Sequence, residues 1–285
     1  MQSETIELSN GKLSKNMIKK YKEDGFLFPI NIFNYKEALN LRTELEKIEQ
    51  KYSKIKLPKP LNDYKRGPAN AVIPLVADIA KDNRILDIVE CILGGNILVW
   101  AAEFFIKEKK TDNMVGMHQD LTYWGMGETS GQVTAWLALS DSNRNSGCME
   151  FVKGSHKNKI LPHNETYSKK SLLSRGQEVQ VQIPNNKKIS AELLPGQMSI
   201  HHGLMIHGSG PNTSNDRRIG VAIRYINPDV VQNTKKSYAM PVRGIDKKGN
   251  FTHYFAPKTL FSEFNLKLHE EICENQHKVT STTKN

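Results

Sequence analysis

The chain has 285 residues and a formal net charge of +10, and 38% of its residues are hydrophobic while 25% are charged. This balance is typical of a globular protein and argues against disordered and membrane-embedded classes. No apolar run approaches the ~18 residues that a membrane-spanning helix needs. The first residues lack the basic start and apolar run of a signal peptide. Three widely spaced cysteines fit reduced thiols better than a disulfide framework or a zinc site. We therefore expect a cytoplasmic protein without a membrane segment.

The positive charge raises the question of a nucleic-acid partner. The lysines are spread along the chain, no run interleaves aromatic with basic residues, and no nucleic-acid-binding signature is present. We therefore predict a small-molecule substrate and no nucleic-acid partner, with a basic surface that attracts small anions in general. No heptad pattern or interface stripe is evident, which leaves the oligomeric state unknown.

Helices dominate the first third of the chain. Residues 13–51 predict two helices with a short apolar strand between them, because Ser14 can cap the first helix and Asp24-Gly25 can end it. Residues 53–70 are polar and contain prolines, which predicts a loop. Apolar residues then recur at helical spacing over residues 73–93, which predicts a further helix.

Short strands separated by turn residues follow. They are predicted at residues 96–107, 132–141, 148–152, 189–194, 197–200, 205–207 and 218–226. The polar stretch 157–188 is predicted to be a lid or an insertion over a site. A helix is expected at residues 260–273 and a disordered tail at 278–285.

This order of elements predicts a fold class. Helices followed by many short strands indicate a mainly β fold with flanking helices, either a β-barrel or a double-sheet jelly roll. No internal repeat or linker divides the chain, so we expect residues 1–277 to form a single domain.

The most informative motif is His118-Gln119-Asp120. Side chains two residues apart on extended backbone point the same way, so one segment can present an imidazole and a carboxylate together. A third ligand must come from elsewhere, and His207 is the candidate because a turn-prone Gly-Ser-Gly-Pro-Asn stretch follows it. Two imidazoles and one carboxylate on one face of a metal form the facial triad of non-haem Fe(II) oxygenases, which leaves positions open for a co-substrate and O₂.

An H-x-D pair by itself is weak evidence, since chance produces it often. Arg218 strengthens the pattern, because it opens an apolar strand eleven residues after His207. On that strand it would face the same side as Gly220 and Ala222, small residues that leave room for a ligand beside the guanidinium. Its fork of donors suits a carboxylate. The spacing leaves one alternative open, in which Arg217 and Arg218 are only charged residues at the start of a strand and bind no ligand.

Other residues compete for these roles. His201 and His202 could replace His207 as the distal ligand, but neither precedes the turn or has an arginine at the same interval, so barrel lining or hydrogen bonding is the favoured interpretation. His156 is interpreted as a turn residue. We interpret four further histidines as surface residues: His163, His253, His269 and His277.

Several side chains are candidates for contacts with the substrate. Tyr123 and Trp124 could line a pocket, although aromatic residues in strands are more often part of a core. Arg175 and Arg243 are weaker candidates for binding a substrate anion. The segment Tyr64-Lys65-Arg66 could also reach an anion, but a solvent-facing loop is favoured.

Four segments occur together here as they do in one known family. These segments are residues 21–26, 117–124, 147–157 and 207–218. Through them the chain resembles, over residues 21–225, the phytanoyl-CoA dioxygenase family of Fe(II)- and 2-oxoglutarate-dependent oxygenases. The resemblance implies a double-stranded β-helix, the jelly-roll fold that cupins also have.

The resemblance also implies roles for individual residues. In such enzymes the H-x-D residues and the distal histidine hold the iron. Those positions are His118, Asp120 and His207. The arginine eleven residues after the distal histidine holds the far carboxylate of 2-oxoglutarate, which implies that role for Arg218. Ser209 and Trp136 match positions that commonly line the co-substrate site.

The function implied is that of a 2-oxoglutarate-dependent dioxygenase that uses Fe(II), 2-oxoglutarate and O₂. We expect it to hydroxylate a C–H bond of a small anionic organic substrate and to release succinate and CO₂. Related halogenases have a small residue in place of the carboxylate, so Asp120 favours hydroxylation over halogenation. The alternatives left open are oxidative cyclisation or desaturation, a non-oxidative cupin-like isomerase or metal-binding sensor, and a nucleic-acid demethylase suggested only by the charge.

Overall fold

Six α-helices lie in the part of the chain that this computed structural model describes, residues 5–282. They are α1 Lys15–Asp24, α2 Tyr35–Tyr52, α3 Leu61–Lys65, α4 Pro74–Ala80, α5 Asn83–Leu93 and α6 Glu263–Thr282. Ser14 caps α1 as predicted, because its hydroxyl accepts a hydrogen bond from the backbone N–H of Met17. Gly25 ends α1 with φ at 86°, a left-handed conformation that glycine adopts without strain. None of the helices in residues 5–282 has the length and apolarity to cross a bilayer.

Three helical predictions need correction. Residues 73–93 form two helices instead of one, because the Asp82 side chain accepts the backbone N–H of Arg84 and starts α5 anew. The expected loop at 53–70 contains the short helix α3.

The third correction concerns the C-terminal end. Residues 278–282 are the last turns of α6 and not a disordered tail, and Val279 is buried against Gly125. The domain boundary predicted at residue 277 therefore falls inside a helix, while the single domain itself stays a prediction. Residues 283–285 lie outside the described part.

The strands form two main sheets and one hairpin. They are β1 Phe26–Asn31, β2 Ile97–Lys107, β3 Val115–His118, β4 Gln132–Ala138, β5 Met149–Val152, β6 His163–Glu165, β7 Gln177–Val179, β8 Lys188–Ala191, β9 Gln197–His202, β10 His207–Ser209, β11 Arg218–Ile226, β12 Tyr238–Arg243 and β13 Thr252–His253. The larger sheet has the order β1-β9-β4-β11-β2-β12-β13, and the smaller one has the order β3-β10-β5-β8. Strands β6 and β7 pair with each other inside the stretch 157–188, which is predicted to be a lid or an insertion.

Strand periodicity divides the core into layers. On β11, Val221 and Ile223 belong to the large cluster shared with the helices, while Ala222 belongs to the cluster between the two sheets. On β4, Leu137 and Trp136 divide in the same way, since successive side chains of a strand point to opposite faces. Helices therefore cover one face of the larger sheet, and the smaller sheet covers the other. This arrangement is a jelly roll with flanking helices, which confirms the predicted fold class.

Candidate active site

His118, Asp120 and His207 meet between the sheets. Strands β3 and β10 pair so that His207 lies directly opposite His118, and the two ring centroids are 4.3 Å apart. Gln119 has extended backbone, which keeps the Asp120 carboxylate on the side of His118. The Nε2 atoms of His118 and His207 lie 3.4 and 4.0 Å from Oδ1 of Asp120. The potential ligand atoms of all three residues lie within 4.8 Å of one another, so a single metal ion can contact all of them.

Backbone carbonyls orient both imidazoles. Nδ1 of His118 donates to the carbonyl oxygen of Gly116 at 2.9 Å, and Nδ1 of His207 donates to that of Met205 at 2.9 Å. A carbonyl oxygen only accepts, so each Nδ1 carries the proton and each Nε2 presents its lone pair to the space between the three residues. Metal-binding histidines typically have such a partner on the other nitrogen.

The carboxylate of Asp120 is oriented by a hydroxyl. Thr134 on β4 donates from Oγ1 to Oδ2 of Asp120 at 3.1 Å and accepts from Nε2 of Gln132 at 3.0 Å. One carboxylate oxygen is thereby held by the larger sheet, and Oδ1 faces the two imidazoles. The arrangement fits a divalent cation bound through two nitrogens and one oxygen.

The protonation states also suit a metal site. Burial by itself raises the pKa of Asp120, but contacts with the His118 and His201 imidazoles hold it well below its ordinary value. Burial and the neighbouring histidines lower the pKa of His207 well below its ordinary value. An ionised carboxylate and a neutral imidazole are the forms that bind metals.

Thr134→Val should weaken metal binding without changing the shape of the core. We expect Fe(II) affinity to fall about 10- to 100-fold, because losing the outer partner of a metal ligand typically has an effect of that size. Anaerobic titration of the metal-free protein with Fe(II) measures this. Thr213→Val is the control, since the Thr213 hydroxyl donates to the backbone of Asn145 on the surface. Equal affinities in the two variants would contradict the role of Thr134.

A narrow cavity next to the three residues holds the predicted co-substrate residues. Arg218, Ser209 and Trp136 line it together, so the structure brings all three to one place. The Arg218 guanidinium is 5.1 Å from the Trp136 ring centroid and donates to the carbonyl of Gly147 at 2.5 Å. Arg218 is 1% exposed, and its Nε has no hydrogen-bond partner among the described residues. Burial lowers the pKa of Arg218 to about 10, so it remains charged at neutral pH. A buried cation with an unused donor fits an anionic co-substrate.

Comparison with known proteins places the chain in a family. The family model for phytanoyl-CoA dioxygenase matches residues 21–220. The chain belongs to the phytanoyl-CoA dioxygenase family. The peroxisomal phytanoyl-CoA dioxygenase of Bos taurus is 28% identical over 234 residues, which are 76% of this chain and 69% of that protein.

Two further similarities support the enzyme class. The probable alpha-ketoglutarate-dependent hypophosphite dioxygenase of Stutzerimonas stutzeri is 26% identical over 181 residues, which are 62% of this chain and 58% of that protein. The solved structure of the non-heme monooxygenase ThoJ, in its apo form, is 29% identical with a TM-score of 0.83, and the match covers 94% of this chain and 98% of that one. Family and metal cluster together identify an oxygenase that uses Fe(II), 2-oxoglutarate and O₂, which confirms the predicted enzyme class and cofactors.

The competing histidines of this family member occupy different positions. His201 is buried beside the cluster, with Nε2 3.7 Å from Oδ2 of Asp120, the oxygen that Thr134 already contacts. His202 is half-buried, and its Nδ1 accepts the backbone N–H of Leu204. Neither residue belongs to the three-residue cluster, which matches their predicted lining and hydrogen-bonding roles.

Two histidines predicted at the surface are buried. Nε2 of His163 accepts the backbone N–H of Gln119, because the insertion at 157–188 folds over the site. The insertion continues along the wall of a second, larger cavity, which Ser171–Ser174 line. His269 on α6 packs against Tyr64, with ring centroids 5.1 Å apart.

The weaker arginine candidates lie outside the cavities. Arg243 forms ion pairs with Asp87 and Glu90 of α5, and Arg175 pairs with Glu165 in the hairpin. Of the described arginines, those that line either cavity are Arg66, Arg218 and Arg224.

A larger cavity of about 650 Å³ opens on the other side of the metal cluster. Its size falls within the range of roughly 300–1,000 Å³ that is usual for small-molecule pockets. Tyr123 and Trp124 line it, so these aromatic residues form walls instead of an inaccessible core. His118, Asp120 and Leu173 line both cavities, which places the metal cluster at their junction.

Two arginines share one carboxylate on the wall of the larger cavity. Nε of Arg66 lies 2.8 Å from Oε2 of Glu103, and NH1 of Arg224 lies 2.5 Å from Oε1. The three groups carry a net charge of +1. Arg224 is 9% exposed, lines both cavities, and has no hydrogen-bond partner for Nε among the described residues.

The sequence reasoning missed Lys107, Thr134, Glu103 and Arg224. The signal for three of them was present in the strand period. Glu103, Phe105 and Lys107 lie on one face of β2, because strand side chains two residues apart point the same way. For the same reason Arg224 lies on the face of β11 that carries Arg218. No sequence pattern marks Thr134. Its contact with Asp120 depends on how the two sheets stack, which places β4 opposite the residue pair that follows β3.

Proposed function

We propose that this oxygenase hydroxylates a C–H bond of a small anionic organic substrate that binds in the larger cavity. Fe(II) would be held by His118, Asp120 and His207, and the distal carboxylate of 2-oxoglutarate by Arg218. The observation that carries the proposal is the position of the metal cluster at the junction of two cavities. One cavity contains the buried cation for the co-substrate, and the other can present a substrate to the same metal.

The side chains of the co-substrate pocket have separate tasks. Bound Fe(II), with 2-oxoglutarate and O₂, supplies the oxidising chemistry and leaves succinate and CO₂ as by-products. The buried guanidinium of Arg218 binds the distal carboxylate through charge-assisted hydrogen bonds. Ser209, two residues beyond His207 on the same face of β10, adds a hydroxyl, and the Trp136 ring holds Arg218 in place by a cation–π contact.

The insertion at 157–188 encloses the site. Gln119 anchors it, since its side chain donates to the carbonyl oxygen of Leu204 and accepts the backbone N–H of Leu161. Leu173 lines both cavities and packs against the cluster between the sheets. An apolar side chain at the junction excludes water from the metal, which protects the oxidation from side reactions.

The charge on the cavity wall favours an anionic substrate. Arg66, Glu103 and Arg224 together leave one positive charge uncompensated, and the unused Nε of Arg224 is a donor for a carboxylate or a similar anion. The aromatic wall formed by Tyr123 and Trp124 suits an apolar body on the same molecule.

A panel of matched acids and esters tests this function. Small organic acids and their neutral methyl esters are supplied with Fe(II), 2-oxoglutarate and O₂, and succinate release is measured for each. We expect acids to accelerate succinate release more than their esters, and the product to gain one oxygen atom by mass. Loss of two hydrogens would indicate desaturation or cyclisation instead. Succinate release that never depends on any added compound would argue against an oxygenase of small organic acids.

Arg224→Met should selectively weaken the binding of an acidic substrate. One charge-assisted hydrogen bond contributes about 1.5–3 kcal/mol, so we expect KM for the acid to rise roughly 10- to 100-fold. KM for 2-oxoglutarate should change much less than KM for the acid, because Arg218 still binds the co-substrate, and the response to the ester should stay unchanged, since Glu103 keeps Arg66 as a partner. Arg84→Met is the control, because Arg84 is exposed on the surface and pairs with Asp82. Equal effects on acid and ester would contradict an anion site at Arg224.

The remaining expectations are proposals of the same kind. We propose a cytoplasmic location, one catalytic domain and no nucleic-acid partner. Cys91, Cys148 and Cys273 are all free, which supports a reducing compartment. Cell fractionation tests the location, and recovery of the chain in an organelle fraction would contradict it.

A further inference from the structure

Lys107 lies behind the co-substrate pocket and is completely buried. It is the last residue of β2 and pairs in register with Arg218 on β11. Its Nζ donates to Oγ of Ser209 at 2.7 Å, to the carbonyl of Gly147 at 3.2 Å, and to the carbonyl of Gly210. Arg218 donates to the same Gly147 carbonyl. The two cations are therefore joined by a shared acceptor beside the narrow cavity that Arg218 and Ser209 line.

Within residues 5–282, no carboxylate forms an ion pair with Lys107 or Arg218. The titratable groups that act on Lys107 are Arg218 and the Cys148 thiol, and burial raises the pKa of that thiol to about 11, so it carries no negative charge at neutral pH. Burial, together with the charge of Arg218, lowers the pKa of Lys107 to about 6, and a bound anion beside it would raise that pKa again. Three acceptors surround Nζ, however, and only the ammonium form can donate to all of them. Two uncompensated buried cations are costly, and a bound dianion would offset that cost.

The hydrogen bond from Lys107 determines the direction in which the Ser209 hydroxyl can donate. Because Oγ accepts the hydrogen bond from Lys107, the hydroxyl proton points away from Nζ. Ser209 lines the narrow cavity, so the hydroxyl is oriented as a donor to a ligand there. Protein oxygens use all three donors of Lys107, which means that the lysine acts through Ser209 and through its charge and not by touching the ligand.

We propose that Lys107 is a positioning residue for 2-oxoglutarate, which orients the Ser209 hydroxyl towards the distal carboxylate and adds a second positive charge behind Arg218. This inference rests on the proposed function, in which Arg218 and Ser209 bind that carboxylate. It predicts that the effect of Lys107 on binding depends on whether the ligand has a distal carboxylate. Lys107 should contribute to binding a dicarboxylate, and it should contribute little to a 2-oxo acid that lacks the distal carboxylate, such as pyruvate.

Calorimetric titration of the Fe(II)-loaded protein under anaerobic conditions tests the proposal. We expect Lys107→Met to raise Kd for 2-oxoglutarate about 10- to 100-fold, the effect of losing one or two charge-assisted interactions, and to change Kd for pyruvate less than about threefold. Lys107→Gln keeps a donor for Ser209 without the charge, so its loss should be intermediate. Because Lys107 acts through Ser209, the double variant with Ser209→Ala should lose less than the product of the two single effects.

Each other outcome has a defined meaning. Wild-type affinity for 2-oxoglutarate in Lys107→Met, or an equal loss for 2-oxoglutarate and pyruvate, would overturn the inference, the latter because it indicates general damage to the pocket. If Lys107→Met shows no cooperative unfolding, the same comparison is made with Lys107→Gln and judged in the same way. Lys47→Met is the control for loss of a lysine, since Lys47 lies on the surface. A wild-type protein that binds iron but no 2-oxoglutarate would refute the proposed function itself.

Discussion

Asp120→Ala and His207→Ala are expected to lose Fe(II) binding and 2-oxoglutarate turnover, while His201→Gln keeps both. Each of the first two changes removes one of the three side chains that converge within 4.8 Å. Since losing merely the outer partner of a metal ligand typically weakens affinity about 10- to 100-fold, losing a ligand should weaken it by more than ~100-fold. Anaerobic Fe(II) titration and succinate release measure the two effects separately.

His201 is a demanding control because it is equally buried and adjacent. Its ring centroid is 4.5 Å from that of His207, and its Nε2 is 3.7 Å from the Asp120 carboxylate. The backbone distinguishes the two histidines. Met205 accepts the Nδ1 proton of His207, whereas His201 has no hydrogen-bond partner for either nitrogen among the described residues. Loss of iron from His201→Gln together with retention in His207→Ala would reverse the ligand assignment.

Arg218→Met is expected to raise the 2-oxoglutarate requirement by at least about 100-fold and to leave Fe(II) binding intact. The guanidinium can form two charge-assisted hydrogen bonds with the distal carboxylate, and each contributes about 1.5–3 kcal/mol. Tenfold in affinity corresponds to about 1.4 kcal/mol, so the two together account for two orders of magnitude or more. Anaerobic titration that follows the visible charge-transfer band of the Fe(II)–2-oxoglutarate chelate measures the affinity directly.

The neighbouring arginine provides a matched control. Arg217 precedes β11 and pairs with Glu49 at 2.8 Å and Glu108 at 3.0 Å on the outer side of the sheet. Arg217→Met should therefore lower stability slightly and leave the 2-oxoglutarate requirement unchanged. An unchanged requirement in Arg218→Met, or the same increase in both variants, would contradict the assignment of the distal carboxylate to Arg218.

The local part of this site could be predicted from the sequence. The same-side placement of His118 and Asp120 follows from strand geometry alone, and so does the face of β11 that carries Arg218. Start and end of α1 followed from Ser14 and Gly25, because capping and left-handed turns depend on adjacent residues. The same alternation places Glu103 and Lys107 on one face of β2, and Arg224 on the Arg218 face of β11. The sequence alone assigned none of these three residues a role.

Long-range contacts were beyond the reach of such reasoning. His163 was predicted at the surface, yet the fold of the insertion buries it against Gln119. The end of α6 was predicted to be disordered, but burial of Val279 against Gly125 keeps it helical. In both cases the contact that stabilises the ordered conformation is made with a residue far away in the chain, so a local sequence pattern does not reveal it.

The sequence by itself indicated the kind of chemistry, because His118, Asp120, His207 and Arg218 lie in segments through which the chain resembles the phytanoyl-CoA dioxygenase family. Only the tertiary structure decided what surrounds them. Lys107 reaches Ser209 across 102 residues, and Thr134 reaches Asp120 from the opposite sheet. These contacts depend on the register of strands and on the stacking of two sheets. Pairing and stacking place distant residues side by side, and that placement decides which buried charges and hydroxyls share one pocket.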